Sequence, residues 1–404
     1  MIVGSSDGTR LNDSFCEVSR LFDLRPVVCT VVRNFEYGTA VRNVTYSYLK
    51  ALAPDVEEIL ITATISREDL EDLTRSGVKV FVTGTSDFIR FPFDVSRCDS
   101  IAKADLIDMV DSLFPALDLC TYARHHLGRV LYTPHAIMSP IEKRTNIKYL
   151  IGYSQSGLQR RGIAKIIAGF IAISDYMRAT IEKRYSPRRV YLIPNSVDSG
   201  FFVPSPGGGR PTSSLRLIYA GMLNYGKGVH ELLSQMPRVL RKFPGARLTI
   251  VGDGDVTSQL IELSRSLGLE REVSFVQGAT NEEMLHLYQS SDIFVSFSFA
   301  ETFGLSAFEA MACGKPALVR SCAALGTVAQ DENSGVVGFQ TGDEFCGKLT
   351  EVLERYSELS VRARRFAERF TVASAANLRY KTYLEAIEGA DIQSKIGASS
   401  PSGR

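Results

Sequence analysis

The sequence contains no tryptophan, and its five histidines and seven cysteines form no cluster with the spacing of a metal site. Structural zinc sites are usually held by closely spaced Cys and His pairs, and no C-x-x-C motif occurs here. The charges nearly balance, with 46 Lys and Arg, 45 Asp and Glu, and a net charge of +1. This balance gives no electrostatic case for general nucleic-acid binding. We therefore expect neither a bound metal nor a nucleic-acid partner.

The chain also lacks the features of a secreted or membrane-spanning protein. Its first residues, MIVGSSDGTRLNDS, have neither the basic nor the apolar region of a signal peptide. The longest apolar run, Ile166 to Ile173, is far too short to cross a bilayer. Scattered cysteines in an odd number suit a reducing compartment. Together these features predict a cytoplasmic protein.

The composition is sufficient for two folded domains. At 404 residues, with 45% hydrophobic and 23% charged residues, the chain can bury two separate cores. Short apolar runs typical of buried strands alternate with helical segments, which indicates parallel, doubly wound α/β sheets. The stretch from Phe201 to Ser214 is rich in Pro, Gly and Ser and marks the boundary between the domains.

The most informative stretch is SFSFAETFGLSAFEAMACGKP, from Ser296 to Pro316. An apolar run, a tight polar loop and a run of good helix formers follow one another, and Gly314 stands where the helix should end. A loop between a strand and a helix aims the first helix amides at an anion. The amides in question are those of Phe303, Gly304 and Leu305.

Two carboxylates flank this helix start, Glu301 in the loop and Glu309 inside the helix. Carboxylates accept hydrogen bonds from paired hydroxyls, so two of them beside one phosphate site suggest a sugar-nucleotide. On spacing alone, the alternative is that they favour the helix macrodipole and that Glu309 is solvated.

A second candidate phosphate site is the loop GMLNYGKG, which follows a predicted strand from Leu215 to Ala220. Small residues such as Gly221, Gly226 and Gly228 let backbone amides approach a phosphate, and Lys227 supplies a positive charge.

These motifs resemble the donor site of the retaining glycosyltransferases of family four (glycosyltransferase group 1), which have the GT-B fold. In that family Glu-x7-Glu is followed by Ala-Met-Ala-x-Gly-x-Pro, and the residues from Glu301 to Pro316 match this pattern. The resemblance implies that Glu309 binds the nucleotide ribose and that Glu301 contacts the donor sugar. It also implies an α/β architecture of two Rossmann-like, doubly wound domains that face a central cleft.

The sequence departs from the family pattern in two loops. The family's Gly-Arg-x4-Lys-Gly motif is matched at Gly221, Lys227 and Gly228, but Met222 occupies the Arg position. One of the two cations implied to stabilise the leaving diphosphate is therefore missing. In the loop after the first strand, the family usually has a glycine pair near the donor phosphates or the acceptor, and here only Gly38 is present.

His135 follows a predicted strand from Val130 to Thr133, and ligands of open α/β sheets lie outside the carboxyl ends of strands. The resemblance implies that His135 contacts the donor sugar near its reacting carbon. His125 and His126 also follow a predicted strand end. The Asp253 and Asp255 pair matches the family's Gly-rich turn, so no metal is assigned to it.

The predicted reaction is transfer of a sugar from a nucleotide diphosphate sugar to an acceptor hydroxyl, with retention of anomeric configuration and without a cofactor. The acceptor would be a glycan, a glycolipid or a small molecule, in polysaccharide or glycoconjugate biosynthesis. The catalytic residues would be His135, Glu301 and Lys227, and the donor would bind at Gly38, Gly221, Lys227, Phe303, Gly304, Leu305 and Glu309. The alternatives are a sugar-nucleotide epimerase of the same fold, a catalytically silent donor-binding partner, and an unrelated nucleotide-binding α/β protein.

The predicted order along the chain is a poorly ordered lead (1–24), an acceptor domain (25–200), a donor domain (201–370), a helix that crosses back to the first domain (371–389) and a disordered tail (390–404). In the first domain we predict a helix from about Ser100 to Phe114 and a strand from Leu117 to Tyr122. A basic segment that contains Arg160, Arg161 and Lys165 would contact a phosphate-bearing acceptor or anionic lipid headgroups at the inner face of the membrane, or it would form a solvated helix face.

Overall fold

The computed structural model describes residues 25–35, 40–82, 104–111, 128–135, 164–206 and 214–398. Gly38, His125, His126 and the predicted strand from Leu117 to Tyr122 lie outside these ranges. The described residues form one seven-stranded and one six-stranded sheet, in which every strand pairing is parallel. This arrangement confirms the predicted pair of doubly wound α/β domains.

The first sheet has the strand order β3-β2-β1-β4-β5-β6-β7. Its strands are β1 (Val27–Phe35), β2 (Glu57–Ile65), β3 (Lys79–Val82), β4 (Leu106–Asp111), β5 (Val130–Pro134), β6 (Gly169–Ala172) and β7 (Val190–Leu192). The helices described in this domain are α1 (Ala40–Leu52), α2 (Arg67–Arg75) and α3 (Asp175–Tyr185). Serine hydroxyls cap the starts of α2 and α3 by accepting hydrogen bonds from backbone amides.

The second sheet has the order β10-β9-β8-β11-β12-β13. Its strands are β8 (Arg216–Ala220), β9 (Arg247–Val251), β10 (Val273–Val276), β11 (Ile293–Ser296), β12 (Ala317–Arg320) and β13 (Val336–Phe339). The helices are α4 (Val229–Lys242), α5 (Thr257–Ser266), α6 (Asn281–Ser290), α7 (Leu305–Ala312), α8 (Ala323–Val328), α9 (Gly342–Glu354) and α10 (Tyr356–Ala367). The strand order reverses between β8 and β11, which is where ligands bind in such sheets.

The predicted helix from Ser100 to Phe114 is wrong, because its centre forms strand β4 between β1 and β5. The charged Asp108 interrupts the apolar run in this segment, so the sequence did not indicate a buried strand. In the folded chain Asp108 is fully buried and pairs with Arg379. The Tyr383 hydroxyl also donates to Asp108, at 2.7 Å.

Both partners of Asp108 belong to the last helix, α11 (Val372–Ala398), which packs on α1 and β4 of the first domain. The apolar residues Ala376 and Ala386 of α11 are buried in the core of that domain. The helix continues to Ala398, so the disordered tail predicted from residue 390 is wrong for 390–398. Among the described residues, no helix combines the length and the apolar character needed to cross a bilayer.

Candidate active site

The loops that follow β8 and β11 lie side by side at the reversal point of the second sheet. In the β8 loop, Asn224 Oδ1 accepts a hydrogen bond from the Lys227 amide at 3.1 Å, which closes a short 3₁₀ turn. Gly228 ends this turn with a φ of +67°, and a Cβ atom there would lie 2.3 Å from the Phe297 carbonyl oxygen. Only glycine fits this position, so the backbones of the two loops are in direct contact.

Lys227 and Glu301 meet between these loops. Lys227 Nζ lies 2.6 Å from Glu301 Oε1, and the two side chains are 21% and 19% exposed. The structure therefore brings together two of the three predicted catalytic residues. The pair places a positive charge beside the start of α7, where an incoming phosphate would meet both a cation and helix amides.

The start of α7 has the backbone geometry of an anion site. Gly304 precedes the helix with a φ of +93°, and no side chain caps the helix. Among the described residues, none accepts a hydrogen bond from the amides of Phe303, Gly304 or Leu305. The Phe303 ring is buried and stacks on Phe308 at a centroid distance of 4.4 Å. The proposed contribution of Phe303 is therefore its amide rather than its side chain.

Glu309 lies one turn further along α7, and its side chain is only partly exposed. The hydroxyl of the buried Tyr288 donates to Glu309 Oε2 at 2.8 Å. Burial raises the pKa of Glu309 to about 7, although the hydrogen bond from Tyr288 acts in the opposite direction. None of the described residues donates to Oε1, so this oxygen can accept from a ligand hydroxyl. One of the two carboxylate oxygens of Glu309 is thus held by the protein rather than by solvent.

His135 lies just beyond the carboxyl end of β5 in the first domain, and it is buried. Burial, together with the positive charge of Arg379, lowers the pKa of His135 to about 3, so the imidazole is neutral at physiological pH. Its Nε2 is buried and has no hydrogen-bond partner within the described part of the chain. Its carbonyl oxygen accepts a hydrogen bond from Thr302 Oγ1 at 2.8 Å. His135 thus contacts the loop between β11 and α7 (residues 297–304), the predicted donor loop of the second domain.

Met222, at the position of the missing cation, is 62% exposed. Asn224 Nδ2 contacts its sulfur at 3.6 Å. Arg320 lies against the loop after β11, where its Nε donates to the Phe297 carbonyl at 3.2 Å, and its guanidinium pairs with Glu231 of α4. Arg320 is therefore engaged by the loop after β11 and by α4.

The Asp253 carboxylate accepts hydrogen bonds from Thr257 Oγ1 at 2.7 Å and from the Gly254 amide at 2.8 Å. These contacts agree with a turn at this position. In the part of the chain that the structure describes, no group of three His, Cys, Asp or Glu side chains could hold a metal ion.

Sequence reasoning missed three polar residues of the site. Tyr288 contacts Glu309 from another helix, and Thr302 and Ser174 link the donor loop to the first domain. No local sequence pattern marks them, because each acts on a residue that is distant along the chain.

Two family models match the chain. The model of group 1 glycosyl transferases matches residues 206–370, and that of glycosyltransferase family 4 matches residues 41–201. The first match spans the six strands of the second sheet and contains Lys227, Glu301 and Glu309, and the second match spans β2 to β7 of the first sheet.

Curated relatives match about two fifths of the chain. The glycogen synthase of Mycobacterium tuberculosis is 33% identical over 168 residues, which cover 41% of this chain and 40% of that protein. The D-inositol 3-phosphate glycosyltransferase of Rhodococcus erythropolis is 30% identical over 190 residues, 44% of this chain and 43% of that protein. The chain spans about two fifths of the length of these relatives.

Solved structures match most of the chain. HepE of Anabaena in complex with UDP and glucose has a TM-score of 0.69 at 16% identity, and the match covers 89% of this chain and 100% of HepE. WaaG, a glycosyltransferase involved in lipopolysaccharide biosynthesis, has a TM-score of 0.65 at 15% identity, with 90% and 99% covered. At these identities the likeness establishes the fold alone, and it is the predicted GT-B architecture.

Proposed function

This chain belongs to the group 1, family 4 glycosyltransferases, and from that membership we propose that it transfers a sugar from a nucleotide diphosphate sugar to an acceptor hydroxyl. The observation that carries the proposal is the ion pair of Lys227 and Glu301 beside the uncapped start of α7. A cation, helix amides and a carboxylate at one point suit a ligand that joins a diphosphate to a sugar.

The chemical step breaks the bond between the anomeric carbon and the distal phosphate oxygen. Positive charge develops on the sugar ring while negative charge develops on the diphosphate. Lys227 and the amides of Phe303, Gly304 and Leu305 would stabilise the diphosphate, because preorganised donors act where charge accumulates. The acceptor oxygen would bond to the anomeric carbon on the face that the diphosphate leaves, and the departing phosphate would take the proton of the acceptor hydroxyl. Attack on that face gives retention of configuration.

Two carboxylates would orient the donor. Glu309 would accept from the ribose hydroxyls through its available Oε1, with Oε2 held by Tyr288. Glu301 would accept from hydroxyls of the transferred sugar while Lys227 turns toward the phosphate. His135, neutral and buried on the opposite side of the domain boundary, would contact the sugar near the reacting carbon.

The donor and acceptor are proposed by class. A uridine diphosphate sugar is the first donor to test, because HepE of Anabaena is known in complex with UDP and glucose. The acceptor would be a hydroxyl of a glycan, a glycolipid or a small molecule, bound by the first domain. We propose a cytoplasmic location, which the scattered cysteines of the sequence favour. Contact with the inner membrane face through the basic segment that contains Lys165 remains a prediction.

The test is titration of the purified protein with a panel of nucleoside diphosphates and their sugars, without metal, beside the variant Glu309→Ala. We expect one base to bind and the variant to lose most of that binding. If no member of the panel binds, the proposal is wrong.

The exposed Met222 favours a second candidate, a donor-binding partner without catalytic activity. Such a protein would bind the same nucleotide but neither transfer nor hydrolyse the sugar. Turnover of the best-binding donor, measured as sugar transfer or sugar release, separates the two candidates. The transferase shows turnover, and the donor-binding partner shows none.

A further inference from the structure

Thr302 makes polar contacts across the boundary between the two domains. Its Oγ1 donates to the carbonyl oxygen of His135 at 2.8 Å. Its own carbonyl oxygen accepts a hydrogen bond from Ser174 Oγ at 2.6 Å. Both partners belong to the first domain, whereas Thr302 lies in the loop between β11 and α7 of the second. One residue therefore links the donor loop to two separate points of the first domain.

The neighbours of Thr302 are held by their own domain. The carbonyl of Glu301 accepts from the Ala324 amide at 3.0 Å, and its side chain pairs with Lys227. The ring of Phe303 packs in the core on the other side. Thr302 is thus fixed in the second domain by the residues on both sides of it, and its polar groups face the first domain.

Ser174 is an equally fixed partner. As the N-cap of α3 it accepts a hydrogen bond from the Met177 amide at 3.1 Å, and it gives its only proton to Thr302. Around it, Met177 of the first domain and Leu325 of the second are buried in one continuous apolar cluster. Because this boundary is apolar, a donor or acceptor that lost its partner there would be poorly compensated by water.

The linker between the domains is hydrogen-bonded to the second domain. Arg364 donates to the carbonyls of Ser199 and Phe202 at 3.0 and 2.7 Å, and Gln289 donates to the carbonyl of Val203 at 2.9 Å. A shift of His135 and Ser174 away from the second domain would therefore break or stretch the two hydrogen bonds of Thr302.

We propose that Thr302 is a positioning residue, which holds the His135 loop of one domain and the Glu301 loop of the other at the spacing that sugar transfer requires. It touches no reacting atom and acts through its two neighbours in the site. The inference rests on the proposed function, because the spacing matters only if His135 and Glu301 act on one donor. Small misplacements of reacting groups lower rates steeply, by about 100-fold for 1 Å.

The test compares Thr302→Val, which removes the hydroxyl but keeps the shape, with Thr302→Ser, which keeps the hydroxyl. Thr74→Val, at an exposed position on α2, is the matched control. We expect Thr302→Val to lower kcat by about 10- to 100-fold, while the nucleoside diphosphate Kd stays within about two-fold. Thr302→Ser and Thr74→Val should both retain the parent kcat. Small-angle X-ray scattering should give a larger radius of gyration for Thr302→Val than for the other three proteins.

The proposal is overturned if Thr302→Val keeps the parent kcat, or if Thr302→Ser is as defective as Thr302→Val. It is also overturned if Thr302→Val weakens nucleotide binding as strongly as Glu309→Ala, because Thr302 would then belong to the donor site itself. If the parent protein neither binds nor turns over any nucleotide sugar, the proposed function fails. In that case scattering still decides whether Thr302 joins the domains, since it needs no substrate.

Discussion

Lys227 Nζ and Glu301 Oε1 lie 2.6 Å apart, although 74 positions separate the two residues in the sequence. The pair forms because β8 and β11 are neighbours at the reversal point of the second sheet, so the loops after them meet. A carboxylate at this distance orients the lysine until a phosphate competes for it.

The first prediction concerns the charge of Lys227. Lys227→Met should lower kcat by about 100- to 1,000-fold, as expected when one stabilising group for a developing anion is lost. The measurement is sugar release or transfer from the best-binding donor. Lys348→Met is the control, because Lys348 forms a comparable ion pair with Glu351 on the surface of α9. Equal activity of the two variants would contradict the role of Lys227.

The second prediction concerns the missing cation. Met222→Arg restores a guanidinium at an exposed position beside the proposed diphosphate site, and a charge-assisted hydrogen bond there should tighten nucleoside diphosphate binding about ten-fold. Calorimetric titration measures this Kd. Val361→Arg, at a 51% exposed position on α10, adds the same charge elsewhere and should leave the Kd unchanged. If both variants bind alike, position 222 does not face the diphosphate.

The third prediction is a pH dependence from Glu309. With a pKa raised to about 7, this carboxyl is protonated below pH 7 and loses the charge that favours ribose hydroxyls. The donor KM should therefore rise as the pH falls from 8 to 6, by up to about ten-fold per pH unit below 7. His135, with a pKa of about 3, does not titrate in this range. In Glu309→Gln the rise should disappear, and a rise that persists there would rule out Glu309 as its source.

The fourth prediction tests the contact between the two loops. Gly228→Ala introduces a Cβ atom 2.3 Å from the Phe297 carbonyl, at a φ of +67°. Gly245→Ala is the control, because Gly245 has a similar φ of +84° but no atom lies within 4 Å of the new Cβ. This variant measures the backbone strain alone, which we expect to cost about 1 kcal/mol. Denaturant unfolding should show a further loss of about 1–3 kcal/mol for Gly228→Ala. If both variants lose the same free energy of unfolding, the two loops can move apart at Gly228 without an energetic cost.

The fifth prediction concerns the attachment of α11 to the first domain. Asp108→Asn leaves the buried charge of Arg379 without its carboxylate, which should lower the free energy of unfolding by about 3–5 kcal/mol. Asp343→Asn removes a similar pair with Arg238 at the surface, where less than about 1 kcal/mol is expected. Thermal or denaturant unfolding of both variants measures the difference. A small loss for Asp108→Asn would show that α11 is held by its apolar contacts alone.

The sequence predicted the second domain more completely than the first. From Arg216 to Ala312, apolar strands, glycine turns and helix caps are local signals, and the motif around Glu301 indicated the donor loop. Strand β4 was missed because it contains the charged Asp108. This charge is compensated in the buried strand by Arg379, which lies 271 positions away. The contacts of Thr302 with His135 and Ser174 were equally invisible, since they exist only after both domains have folded and docked.

The most direct test of the central claim is proton NMR of the sugar that the parent protein releases from its best-binding nucleotide sugar. The anomeric signals of the first product formed report the configuration before it equilibrates. A retaining transferase with Lys227 and Glu301 on one donor should release the sugar with the anomeric configuration of the donor, and Lys227→Met should release far less. Inverted product would contradict the account.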